Sequence, residues 1–137
     1  MARDRDHYIV RNALEKDNWA ITHDPLKVPA GKRDVEIDLG AEYLIGAEKA
    51  GEKIAVEIKT FSGVSHLYDF YRALGQFKFY QLALKKSEPD RLLLLAVSDE
   101  VYESFFEEVF VQELLQLEDV KIVIYNIATE TIVKWIK

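Results

Sequence analysis

The chain has 137 residues, 49% of them hydrophobic, with three prolines and no cysteine. That is enough apolar material for one domain spanning 1–137, with a real core and little room for a second. Without cysteine there are no disulfides and no thiolate metal site, so a zinc ribbon is excluded. The N-terminus Met1-Ala2-Arg3-Asp4-Arg5-Asp6 is charged and leads into no long apolar run, and no stretch reaches membrane-spanning length. A soluble, cytoplasmic protein without a membrane partner is expected.

The net charge of −6 argues at first against a nucleic-acid partner. Its distribution changes that. Between Ser98 and Asp119 there are eight acids and no Lys or Arg, so the rest of the chain carries +2. A mildly basic body with one acidic helix can present a phosphate-binding face, for which Lys27, Lys32, Arg33, Lys59, Arg72 and Lys78 are the candidates.

In chain order, Tyr8, Ile9, Ala13 and Leu14 fall at helical spacing and predict a helix over 4–17. Trp19-Ala20-Ile21-Thr22 reads as a short strand, His23-Asp24-Pro25 as a turn, because the residue before proline avoids helical geometry, and Pro29-Ala30-Gly31-Lys32 as a loop. Asp34-Val35-Glu36-Ile37-Asp38-Leu39 alternates acid and aliphatic, the pattern of a half-buried strand with three acids on one face. Tyr43 to Glu48 and Glu52 to Phe61 form a hairpin about Ala50-Gly51. Ser65 is a helix N-cap, and the helix it starts runs to about Lys86 before Glu88-Pro89 ends it. The apolar run Leu92 to Val97 suits a strand buried on both faces at the sheet centre. Val101 to Leu117 is expected to be one amphipathic helix, and Val120 to Tyr125 and Thr131 to Ile136 closing strands. The order predicts an α/β fold with a mixed β-sheet flanked by helices, in which the strands holding Ile54 and Val97 pair in parallel.

The strand Lys53 to Lys59 ends in Glu57-Ile58-Lys59. Alternation puts Glu57 and Lys59 on one face and Val56 and Ile58 on the other. A carboxylate beside an ammonium at a strand end reads as a metal-dependent phosphodiesterase site. Mg²⁺ (or Mn²⁺) takes oxygen ligands, which Glu57, Asp38 and the backbone carbonyl of Ile58 would supply. Lys59 would position or deprotonate the attacking water and neutralise charge on the scissile phosphate. Asp38 comes first as second carboxylate because it lies where the alternating strand meets Gly40 and must bend. Glu36 and Glu42 remain alternatives for that position. His7 is a further candidate, although a lone helical histidine has many structural uses.

An α-β-β-β-α-β core carrying Asp38 and Glu57-x-Lys59 resembles the PD-(D/E)xK, or restriction-endonuclease-like, superfamily. Ile37 stands where that motif has proline. RecB-type members carry Q-x-x-x-Y on the following helix, and this chain has Gln76-Phe77-Lys78-Phe79-Tyr80. The resemblance implies Gln76 as a site residue orienting Lys59 or a phosphate, Tyr80 as its support, and Glu15 as an additional acid on the first helix. Over nearly its whole length the chain also resembles the XisH family of cyanobacteria, the fdxN-element excision controlling factors. The resemblance is carried by Trp19 to Pro25, Ile37 to Glu42, Val56 to Lys59, Ala73 to Phe77 and Glu88 to Arg91. It implies programmed excision of a DNA element, with DNA, a small XisI-family protein and a recombinase as partners. No serine or tyrosine recombinase signature is present, so strand exchange would belong to another protein. Two readings stay open: a Mg²⁺-dependent endonuclease, or a catalytically silent scaffold that regulates a recombinase by binding DNA or a partner, a second copy of this chain included. For the scaffold, the aromatic content of the acidic helix (Phe105, Phe106, Phe110) offers an interface.

Overall fold

In the computed structural model, residues 5–31, 33–34 and 44–137 are described. Helix α1 (His7–Lys16) is followed by strands β1 (Ala20–Leu26), β2 (Pro29–Ala30), β3 (Arg33–Asp34), β4 (Leu44–Lys49) and β5 (Glu52–Ile58). Helix α2 (His66–Ser87), strand β6 (Arg91–Ser98) and the short helix α3 (Asp99–Val101) come next. A π-helical turn (Tyr102–Phe106) leads to α4 (Val109–Leu117), and strands β7 (Ile122–Asn126) and β8 (Thr131–Ile136) close the chain. Six strands form one mixed sheet in the order β1-β4-β5-β6-β7-β8, while β2 and β3 make a separate two-stranded ribbon.

The apolar run of β6 has the place its composition calls for, parallel to β5 on one side and β7 on the other. Helices cover both faces of such strands, so nearly every residue of β6 is buried. On one face α1 contributes Val10 and Leu14 to a layer with Ile45, Ile54, Val56, Ile58, Leu94 and Tyr125. On the other, Phe70, Phe77 and Tyr80 of α2 join Leu44, Ala55, Leu95, Phe105, Phe106 and Leu115. The β4–β5 hairpin turns on Ala50-Gly51, both at positive φ (50° and 85°), as a two-residue turn between antiparallel strands requires.

Three expectations are corrected: Pro29 and Ala30, expected in a loop, form β2 and pair antiparallel with β3. His23, Asp24 and Pro25 are not a turn but part of β1, which pairs antiparallel with β4 through two register shifts. β1 is an edge strand, where proline is tolerated, and Asp24 is drawn inward by His7 and Arg11 of α1. The helix expected over 101–117 is broken. Phe105 and Phe106 are both buried, and the next inward residues are Val111 and Leu115. From Phe106 to Val111 is five positions, off the α-helical period. A wide turn, with the Glu107 N–H donating to the Tyr102 carbonyl at 3.1 Å, seats both phenylalanines, and the chain restarts from Glu108 at ψ 135°. Of the strand expected over 34–39, only Asp34 falls among the described residues. No described helix is long and apolar enough to cross a membrane.

Candidate active site

Strand alternation fixes where Glu57 faces. Ile54, Val56 and Ile58 enter the α1-side layer and Ala55 the α2-side layer, so Glu57 faces α2. It is 1% exposed, flanked by Leu44 of β4 and Leu95 of β6 in register. Lys59 lies one residue beyond β5 and is half-buried, and its N–H donates to the Ala96 carbonyl at 3.1 Å, extending the parallel ladder past the strand end. The Glu57–Lys59 pair thus sits at the carboxyl end of parallel strands, where open α/β sheets place their ligands.

The chain then bends sharply. Phe61 is at φ 57°, a left-handed conformation that a bulky residue adopts only when its surroundings hold it. Its buried ring packs edge-on against Phe106, centroids 5.3 Å apart, and against His66 at 6.2 Å. Past the bend, the Gly63 N–H donates to Asp69 Oδ2 at 2.9 Å, and Ser65 caps α2 by accepting from the Tyr68 N–H at 3.3 Å. A side chain at Gly63 would run into Asp69, its Cβ falling 2.5 Å from Oδ1. Lys59, Thr60, Ser62, Gly63, Asp69 and Arg72 line a hollow at this bend. The lining carries two cationic side chains, Lys59 and Arg72, and the Asp69 carboxylate that the Gly63 backbone engages.

Along α2, Arg72, Gln76 and Tyr80 follow at four-residue spacing and share one face. Arg72 opens on the hollow, Gln76 is half-buried, and Tyr80 is buried among the core residues of α2. Gln76 Oε1 is buried and takes no hydrogen bond among the described residues. This places Glu57, Lys59, Gln76 and Tyr80 on the α2 side of the sheet.

The other expected residues divide. Asp38, Glu36, Glu42 and Lys32 lie outside the described residues, whose account resumes at Leu44, directly opposite Glu57. His7 and Glu15 are on α1, across the sheet. Glu15 is exposed, whereas His7 is buried with Nε2 2.8 Å from Asp24 Oδ1, a carboxylate that Arg11 also engages. Lys78 donates to the Glu118 carbonyl at 2.7 Å, and Lys27 is exposed between β1 and β2. Sequence reasoning missed Asp69 and the Phe61 bend; the Ser-Gly in Ser62-Gly63 is a turn signal, but nothing in it designates a left-handed phenylalanine.

Among the described residues no three His, Asp or Glu side chains gather as a metal-ligand group. The donors at the end of β5, the Glu57 carboxylate and the Ile58 carbonyl, are nevertheless of one chemical kind, and the helix that Glu57 faces carries a further buried oxygen at Gln76. All-oxygen sets of this type suit Mg²⁺ or Mn²⁺ rather than zinc or copper. Among the described residues the set is one carboxylate short of what such an ion takes.

The family model for XisH proteins matches residues 1–133. This chain belongs to the XisH family. Its fold and sequence are similar to the crystal structure of an XisH family protein from Nostoc punctiforme, with a TM-score of 0.88, 42% identity, and 96% of this chain and 98% of that one covered. They are similar too to the crystal structure of an fdxN element excision controlling factor protein from Anabaena variabilis (TM-score 0.87, 42% identity, 96% and 97% covered). No curated protein matches.

Proposed function

We propose that this XisH-family chain is a DNA-excision controlling factor with a Mg²⁺-dependent phosphodiesterase site of PD-(D/E)xK type. The excision role comes from the Anabaena variabilis relative, named an fdxN element excision controlling factor. The observation that carries the chemistry is the buried Glu57 at the carboxyl end of β5, facing the helix that holds Gln76, with Lys59 next beyond the strand. Burying a carboxylate is expensive and is tolerated where it is paired or holds a cation. The order α1, β1, β4, β5, α2, β6, with the acid and lysine closing the third core strand, agrees with the superfamily reading.

In this reading Glu57, Asp38 and the Ile58 carbonyl would hold the ion, which would supply Lewis-acid activation of water and charge neutralisation at the phosphate. Lys59 stands at the same strand end to orient the attacking water and offset charge on the scissile group. Gln76, whose amide oxygen is buried, would orient Lys59 or a phosphate. Arg72, which lines the same hollow as Lys59, would take a neighbouring backbone phosphate. The α2-side core excludes solvent from the carboxylate, which strengthens each of these interactions.

A second reading is favoured by one specific surface. Val109, Phe110 and Leu117 of α4 are exposed (72%, 78% and 77%) among Glu107, Glu108 and Glu113, an acidic and apolar face suited to a basic, hydrophobic protein partner such as an XisI-family protein. That face serves a controlling factor with or without cleavage.

Calorimetric titration with Mg²⁺ and Mn²⁺ of the native chain and of Glu57→Ala, followed by nicking assays on linear and branched DNA, tests the proposal. Binding that Glu57→Ala abolishes, together with metal-dependent nicking, is the expected result. Neither binding nor nicking by the native chain would leave the partner-binding scaffold.

A further inference from the structure

Helix α2 is apolar on two opposite faces. Phe70, Ala73, Phe77, Tyr80 and Leu84 point into the core, as the helical period allows for one side. On the reverse side Tyr68, Tyr71, Phe79 and Leu82 stay exposed, by 63%, 58%, 40% and 58%. Leu67 and, just ahead of the N-cap, Val64 extend the stripe, and Pro29 and Ala30 of the β2 segment flank Phe79 and Leu82. At the centre of the exposed stripe is Gly75.

That glycine has no local reason to be there. It is exposed, in the middle of a 22-residue helix, and a Cβ at this position would meet nothing within 4 Å. Glycine instead of alanine at such a site costs the helix about 1 kcal/mol. What a missing side chain does permit is the close approach of another backbone.

We infer that this face is a two-fold interface between two copies of the chain, with their α2 helices crossing antiparallel at Gly75. The spacing identifies the occupant. Tyr71 and Phe79 are each four residues from Gly75, and Tyr68 and Leu82 are each seven. In an antiparallel pair about Gly75, Tyr71 of one copy therefore comes level with Phe79 of the other, and Tyr68 with Leu82. A stripe that is its own mirror in position and apolar character is what an isologous contact requires: residue i meets j and j meets i. The aromatic and aliphatic side chains of the stripe expose roughly 600 Å² per copy, taking about 150–250 Å² for a whole aromatic residue. Full coverage of both stripes would bury at most about 1,200 Å², the lower bound for specific interfaces. A dimer of modest affinity follows.

Sedimentation velocity over a concentration series tests this. The native chain should dimerise between about 1 and 100 µM. Tyr71→Glu should remain monomeric with unchanged circular dichroism. Because the chain has no cysteine, Gly75→Cys provides an independent reading. A residue on the two-fold axis lies beside its own copy, within the roughly 4.4–6.8 Å that a disulfide spans between Cα atoms. Mild oxidation should cross-link Gly75→Cys at least about tenfold faster than Val133→Cys, on an exposed position of β8. A native chain monomeric to about 100 µM would overturn the inference. So would a dimer indifferent to Tyr71→Glu, or one showing no preference for cross-linking at position 75. Capture of DNA or a different protein on this face by a monomeric chain would overturn it as well.

Discussion

Gln76 separates a functional reading from a structural one with a single substitution. Its Oε1 is buried on the face of α2 that looks toward the Glu57 side of the sheet, and no described group donates to it. A buried acceptor without a donor lowers stability by about 1–3 kcal/mol relative to one that is satisfied or absent. Leucine has nearly the helix propensity of glutamine and a similar reach, and Gln76 is only half-buried, so the amide end loses little on removal. Gln76→Leu should therefore stabilise the protein by about 1 kcal/mol, read as a higher urea midpoint at unchanged slope. For a domain of this size the melting temperature should rise by roughly 3–5 °C. Under the proposed function the same variant should lose metal-dependent nicking by at least about tenfold, equivalent to about 1.4 kcal/mol of transition-state stabilisation. Stability and activity moving in opposite directions is the signature of a group kept for chemistry. If Gln76→Leu instead destabilises by more than about 1 kcal/mol, the amide is a structural hydrogen-bonding group and its place in the site is withdrawn.

Phe106 is fully buried and in ring contact with Phe61, Phe70, Phe105 and Tyr102, so Phe106→Ala should cost about 3–5 kcal/mol in urea unfolding. A loss under about 2 kcal/mol would show that the aromatic cluster does not hold the bend after Lys59. Ala50 is at φ 50° in an exposed two-residue turn, a conformation that alanine adopts at about 1–2 kcal/mol and asparagine more readily. Ala50→Asn should raise stability by about 0.5–1 kcal/mol, and an unchanged or lower midpoint would contradict this. The hydrogen bond and charge of Lys121, helped by Lys78 and Lys85, hold the Asp119 carboxyl below its usual value. Because the folded value is the lower one, the stabilisation is present above the unfolded value and fades as pH falls through the folded one. Lys121→Gln should move the Asp119 titration up toward the ordinary carboxylate range by NMR, with little change in stability at pH 7 because the pair is exposed.

How far the sequence could be read depended on the range of the interaction involved. Period-two alternation and the unbroken run of β6 are local patterns imposed by layers on one or both faces, and they located β4, β5 and β6 to within a few residues. Ser65 was recognisable as a cap because capping is settled within four residues. The turn expected at His23-Asp24-Pro25 gives way because the local preference for a turn loses to an edge-strand pairing and to a buried hydrogen bond between Asp24 and His7, 17 residues earlier. The break in the helix after Phe106 follows from which residues must face the core together, a demand the partner layer makes. In the candidate site, Glu57-x-Lys59 and Gln76 were visible as short motifs. The hollow joining Lys59 to Asp69 and Arg72 depends on a bend that no residue type announces.

The buried polar groups are concentrated at one end of the sheet. Among the described residues, those buried are Asp6, His7, Glu57, Thr60, Arg91 and Ser98, and all but Arg91 belong to the end of the sheet where β5, β6 and β7 finish. Several of them fasten structure there. Asp6 accepts the Tyr125 hydroxyl at 2.5 Å, joining the start of α1 to the end of β7, and His7 pairs with Asp24 of β1. Ser98 accepts from the Val101 N–H at 3.3 Å and starts α3 directly off β6. Such bonds add little net stability each, but their geometry is demanding, and together they fix α1, β1, β6, α3 and β7 around the end of β5. Arg91, at the opposite end, ties β6 to the Ile54 carbonyl of β5 at 2.9 Å and so sets the register of the strand that carries Glu57. Under the proposed function Glu57 would need a frame of this kind, because a displacement of about 1 Å can lose most of the benefit of orientation. A surface ion pair of Glu57 and Lys59 would need none of it.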